Sequence, residues 1–308
     1  MNKTASILLV FILFFSCNGT DRKNTAQQTD PASTIIVDGE KYISQLPAAL
    51  TEISGLLIWD NLFWGFNDSG GDEKLLGFDR EGVIQRTLKI KNSDNHDWES
   101  ITQDDAFIYV GDFGNNRGNR EDLCVYKIAK DLVGKGEESE VGAIRIDYNY
   151  ASQDEFSFGL NSTPFDCEAM VEFNGNLYLF SKNWQTHTTQ MYKLSTAEGN
   201  YQLAPIDSFN VNLLVTGADV NPGKNKLALI GYLDYKTYMW VFSDFEGDNF
   251  FGGKSTYFHL KNLDGAQTEG ICFLNDETVL ISCEDTKTVP QQVFRVDLKN
   301  VKNGTLSN

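Results

Sequence analysis

The chain has 308 residues and a formal net charge of −17, from 26 Lys and Arg against 43 Asp and Glu. No basic stripe is present to neutralise phosphates, so nucleic acid and an anionic bilayer surface are excluded as partners, whereas cations are attracted. A chain this long accommodates one large domain with a substantial core.

Met1 to Ser16 reads as a signal peptide. Lys3 precedes the unbroken apolar run Ile7 to Phe15, which is too short to cross a bilayer as a helix. Cys17 directly follows the small Ser16, as in a bacterial lipobox. Cys17 is therefore the expected lipidation site and the first residue of the mature chain, tethered to the envelope of a Gram-negative-type bacterium on its periplasmic or outer-surface face. Residues 17–33 form a polar linker without apolar anchors, residues 34–300 the folded domain and residues 301–308 a tail.

Within the domain, turn signals recur at Asp60-Asn61, Asp79 to Gly82, Asp104-Asp105, Asn174-Gly175, Asn221 to Asn225 and Asn275-Asp276. Each separates two short runs rich in β-branched and aromatic residues, and helical periodicity is nearly absent, so the pattern is one of hairpins. Five of them open alike, with a polar, a small and an apolar residue: Ser54-Gly55-Leu56, Glu99-Ser100-Ile101, Glu168-Ala169-Met170, Thr216-Gly217-Ala218 and Glu269-Gly270-Ile271. The second strands also correspond, over Phe63 to Asp68, Phe107 to Asp112, Leu177 to Lys182, Leu227 to Tyr232 and Val279 to Glu284. Two further strand-like runs follow most hairpins, and four strands per repeat is the sheet of a propeller blade.

The expected fold is an all-β, five-bladed β-propeller of four-stranded antiparallel blades, with six blades as the alternative. The last repeat holds only three strands, so Thr34 to Val37 is the expected donor of its outer strand, closing the ring. Gly134 to Glu140 and Tyr150 to Pro164 read as loop insertions in the long second repeat. Cys124, Cys167, Cys272 and Cys283 each lie in an apolar run without CxxC spacing, which predicts buried free thiols rather than a zinc site.

In a propeller the innermost strand of each blade lines the channel, so Ser54, Glu99, Glu168, Thr216 and Glu269 are expected to face one axis. Three carboxylates with no compensating base repel one another unless a cation neutralises them, and an oxygen-only ring suits a hard cation, so one axial calcium is expected there. The ends of the second strands place Asp68, Asp112, Lys182, Tyr232 and Glu284 around the mouth above it. His96, beside Trp98 and Glu99, is a candidate acid or base. Asp68, Asp112, Lys182 and His96 thus form the candidate catalytic set.

These residues resemble the calcium-activated soluble nucleotidases, or apyrases, whose inner strands open with Ser, Glu, Glu, Ser and Glu. Here the corresponding residues are Ser54, Glu99, Glu168, Thr216 and Glu269, and Glu52 to Leu56, Glu99 to Gly111 and Thr268 to Phe273 look most alike. The resemblance implies a five-bladed propeller with an axial calcium. It extends more distantly to calcium-dependent lactonase and phytase propellers, in which the metal polarises a carbonyl or phosphoryl oxygen. The basic residues available to a phosphate are Lys182, with Arg117 and Arg120 from a neighbouring loop, fewer than that family carries.

Two functions are expected from this reading. One is a calcium-dependent hydrolase of a phosphorylated or lactone-type small molecule. The other is a non-catalytic, calcium-stabilised propeller that binds a glycan, peptide or partner protein at the mouth. A monomer is expected, touching membrane only through its lipid anchor.

Overall fold

The computed structural model describes residues 34–299; the signal segment, Cys17 with its linker, and the tail lie outside the described residues. Strands β1 (Ile35–Val37) and β2 (Glu40–Ile43) open this part of the chain. Next come β3 (Leu57–Trp59), β4 (Leu62–Gly65), β5 (Lys74–Phe78) and β6 (Ile84–Lys91), paired in chain order. The strands β7 (Trp98–Gln103), β8 (Phe107–Asp112), β9 (Cys124–Ala129) and β10 (Glu138–Tyr150) repeat the arrangement.

A third sheet is built from β11 (Asp166–Phe173), β12 (Asn176–Lys182), β13 (Thr189–Ser195) and β15 (Pro205–Phe209), with β14 (Gly199–Leu203) set against β10. A fourth contains β16 (Leu214–Val220), β17 (Lys226–Leu233), β18 (Lys236–Ser243) and β19 (Lys254–Leu260), and a fifth group β20 (Thr268–Asn275), β21 (Thr278–Cys283) and β22 (Gln292–Asp297). Among the described residues the only helical pieces are three short 3-10 turns, at Lys130–Leu132, Phe250–Gly252 and Lys261–Leu263.

The tight hairpins follow from their turn residues. Asp60 and Asn61 (φ 51° and 60°), like Asn174 and Gly175 (φ 51° and 80°), take the paired left-handed conformations that a two-residue hairpin turn requires. The inner strands β7, β11 and β20 are buried on both faces along most of their length because each sheet packs against its neighbours. Trp64, Leu88, Trp98 and Tyr126 fill the space between the first two groups, and Tyr109, Tyr148, Cys167 and Tyr192 the next. Ala169, Phe180, Leu229 and Trp240 fill the third space, and Ile230, Phe258, Ile271 and Ile281 the fourth. Ile43, Leu56, Phe78, Cys272 and Leu280 then join the last group to the first. The four cysteines are free and buried, as expected.

Direct bonds link the inner strands. Ser100 Oγ and Thr102 Oγ1 of β7 accept the Met170 and Glu172 amides of β11, both at 3.0 Å. Thr216 Oγ1 donates to the Thr268 carbonyl at 2.6 Å, and Gln103 Nε2 to the Ile58 carbonyl at 2.8 Å. Two of the small residues are kept small by this proximity: a Cβ on Gly217 would sit 2.5 Å from the Glu269 carbonyl oxygen, and one on Gly270 2.9 Å from Leu56.

Two expectations are corrected. Residues Ile35–Val37 do not pair with the last three-stranded group; they lie parallel to β19, and Glu40–Ile43 takes the antiparallel place beside β22. The pairing direction decides this, since a strand must reverse to extend an antiparallel ladder. Nor is Glu138–Glu140 a loop. It is the start of the 13-residue β10, which pairs parallel with β6 before turning antiparallel beside β9 and parallel beside β14. Its polar, partly exposed alternation belongs to a solvent-facing outer strand.

Candidate functional site

Four of the five repeat openings carry an irregularity at the same place. The β7–β8 register shifts between Trp98 and Ser100, β11–β12 between Cys167 and Ala169, β16–β17 between Val215 and Gly217, and β20–β21 between Thr268 and Ile271. The residues skipped by the ladder include Glu99, Glu168, Thr216 and Glu269. A bulge of this kind frees one residue from pairing and re-aims its side chain.

All five expected ring residues are buried, between 0 and 6% exposed. Ser54 Oγ donates to Glu99 Oε2 at 3.0 Å. Both oxygens of Glu168 receive the Lys182 ammonium at 2.5 Å, and that ammonium lies 4.9 Å from the Trp184 ring centroid and 5.3 Å from that of Tyr232. Glu269 Oε2 is buried without a hydrogen-bond partner. The ring therefore does contain a compensating base, contrary to expectation. Lys182 lies 14 residues beyond Glu168 but directly beside it across the hairpin, where β11 and β12 pair. Burial alone would lower the Lys182 pKa, but the surrounding carboxylates, Glu168 foremost, hold it well above the ordinary lysine value.

Above the ring a second layer comes from the residues two places before each opening. Glu52, Asp97, Asp166 and Gln267 occupy these positions, with Leu214 in the fourth repeat. Asp97 Oδ2 and Glu99 Oε1 both lie within 2.5 Å of the point that a Cβ on Gly114 would take, so only glycine fits beneath them. Asp166 accepts the Asn115 amide at 2.7 Å and the Trp184 indole N–H at 2.7 Å. Sequence reasoning missed Asp97 and Asp166, although the repeated acid-x-acid spacing in Asp97-Trp98-Glu99 and Asp166-Cys167-Glu168 was the available signal.

Crowding makes these acids weak. Burial, reinforced by Asp166, pushes Asp97 up to about 7 despite Arg120. Burial is also the largest cause for Glu269, at about 8, for Glu284, at about 8 with Asp68 adding to it, and for Asp68, at about 6 with Glu52 adding to it. Glu99 is raised well above its usual value by burial and then by Glu168.

Asp68, Glu284, Lys182 and Tyr232 all lie close enough to Glu269 or Glu168 for their charges to interact. Asp112 is fully buried and bonded to Arg120 at 2.9 Å, with its other oxygen unpartnered. His96 is 54% exposed and bonds Asp122 at 2.9 Å, away from the ring, and Arg120 bridges Asp122 to Asp112. Among the described residues no three of His, Cys, Asp and Glu are gathered into a ready-made metal group.

No family model matches the chain, and no curated protein matches it. Among solved structures it is similar to the PQQ-bound aldose sugar dehydrogenase of Streptomyces coelicolor, at 9% identity over 84% of this chain and 96% of that one, with a TM-score of 0.51. It is also similar to a chain of a nidogen/laminin complex (15% identity, 81% and 77% covered, TM-score 0.44) and to the Dos1 propeller (13%, 89% and 62%, TM-score 0.40). Such low identity shows fold alone, and the fold is all-β and of propeller type.

Proposed function

We propose that the chain is an envelope-anchored lipoprotein with a five-bladed propeller closed by Glu40–Ile43. In this reading its mouth binds one calcium ion and hydrolyses a phosphorylated or lactone-type small molecule there. The observation that carries this reading is a charge imbalance. Glu99, Glu168, Glu269 and Asp166 surround one ammonium, that of Lys182, and the remaining acids keep protons or take a cation.

Glu168 is engaged by Lys182 and Thr216 by the Thr268 carbonyl, so Glu99 and Glu269 are the ring carboxylates left to hold calcium, with Ser54, which donates to Glu99 Oε2, beside them. The unpartnered Glu269 oxygen supports that assignment. Bound calcium would polarise a carbonyl or phosphoryl oxygen of the substrate. Asp68, half-buried at the mouth and with its pKa near 6, is suited to move a proton at neutral pH. Lys182 and Asp112 hold the surrounding charges in place. His96 faces Asp122 instead, so the reading assigns it no step.

A second reading, a non-catalytic calcium-stabilised propeller for a glycan, peptide or partner protein, is favoured by one observation. Lys182 is pinned by Glu168 and Arg120 by Asp112 and Asp122, leaving neither free to grip a phosphate. The test is calcium titration by calorimetry, with turnover of a nucleotide, a phosphomonoester and a lactone measured in calcium and in chelator. Calcium binding with turnover supports the hydrolase, and binding without turnover on any substrate supports the second reading. The absence of both calcium binding and a calcium-dependent Tm would eliminate both readings.

A further inference from the structure

The inner strands that begin at the acid ring end at a separate cavity of about 710 Å3. Trp59 closes β3 there and Gln103 closes β7, while Asp219 and Val220 close β16. This volume is in the range of small-molecule sites, about 300–1,000 Å3. None of the residues of the acid mouth lines it.

Part of the lining is apolar and is built around Trp59, whose ring also has the Arg86 guanidinium 5.7 Å and the Lys130 ammonium 6.0 Å from its centroid. The Trp59 ring packs 5.4 Å from Trp64, its backbone carbonyl accepts the Trp64 indole N–H at 2.9 Å, and Leu57, Ile58 and Phe273 continue the surface. The rest of the lining is mostly polar. Gln103 is fixed from both ends, donating to the Ile58 carbonyl at 2.8 Å and accepting Lys130 Nζ at 2.7 Å. Asp219 accepts the Phe273 amide at 2.6 Å through Oδ2, and its pKa is pushed up to about 7 by burial, with no cation opposing the shift. Lys224 meets Glu172 only at 3.3 Å and is half exposed, so its ammonium keeps donors to spare.

Charge narrows the ligand class. Asp60, Asp104, Asp105, Glu172 and Asp219 outnumber Lys130 and Lys224 around the cavity, which disfavours a phosphate or carboxylate. An aromatic ring bordered by planar acceptors and donors is an arrangement that takes a pyranose, whose C–H face stacks and whose hydroxyls both donate and accept. We propose that this cavity binds a neutral oligosaccharide, with a sugar face on Trp59 and hydroxyls on Asp219, Gln103 and Lys224.

The probes are cellotetraose, maltotetraose and N-acetylchitotetraose, titrated into the full chain by calorimetry, with spermidine as a cationic control. At least one oligosaccharide is expected to bind, with affinity reduced about tenfold or more in Trp59→Ala and in Asp219→Asn and unchanged in Glu269→Gln at the other end. Asp219→Asn preserves shape and guards against a Trp59→Ala chain that fails to fold. Binding of none of the three, binding of spermidine alone, or sugar binding that survives Asp219→Asn and disappears in Glu269→Gln would each overturn the proposal.

Discussion

Lys182 and Glu168 pair in a site where neither is more than 4% exposed, with the ammonium equidistant from both carboxylate oxygens. A buried pair of this kind adds little net stability over an apolar substitute, but removing one member leaves the other uncompensated. Lys182→Met is therefore expected to lower the unfolding free energy by about 3–5 kcal/mol in urea titrations. Adding Glu168→Gln to that variant should restore part of the loss, and a double variant as unstable as the single would show that packing, not charge, holds the site. The pair also marks where sequence reasoning stopped. The ring acids were legible from a five-fold repeat, but their counter-charge stands on the partner strand, and register alone brings it there.

At the scale of the elements, the hairpins were read well because their turn residues and alternation are local properties. Strand β10 was misread in part because its first residues, Glu138 to Glu140, find their partner in β6, far back in the chain. Close approach of strands also fixes residues that look interchangeable in sequence. A Cβ on Gly231 would lie 1.9 Å from the Leu214 carbonyl oxygen, inside the β16–β17 pair. Gly231→Ala is thus expected to shift the ladder and destabilise the protein by about 1–3 kcal/mol or more, measured as a lower urea midpoint. Gly247→Ala is a contrasting control: no atom lies within 4 Å of its Cβ position, so its cost is limited to the left-handed backbone at φ 58°.

The whole molecule carries its acids unevenly, and the mouth gives it a pH dependence of definite sign. Asp68 at about 6, Asp97 at about 7, and Glu269 and Glu284 at about 8 hold protons in the fold that the unfolded chain releases near pH 4. Their contribution is fully present below about pH 4 and is lost as pH rises from about 4 to about 8. Calorimetric Tm is expected to fall over that interval in chelator, less steeply in Glu269→Gln, and calcium is expected to offset the fall if it binds the ionised ring. A Tm that rises over the interval would contradict the assignment. Strand order makes a second whole-molecule prediction. Deleting residues 40–43 bares the edge of β22, whereas deleting 35–37 removes only the parallel strand beside β19. The first deletion should lower Tm more and promote aggregation in light scattering.

The bulges have a consequence for how such a site can vary. At Glu99, Glu168, Thr216 and Glu269 the ladder skips a residue, so the side chain there can change without altering the cross-strand pairing on either side. Hydroxyl and carboxylate already occupy equivalent places in this chain. The framework and the chemistry are thereby uncoupled at one level of the channel, and a single exchange there can retune the charge of the mouth while the sheets keep their register.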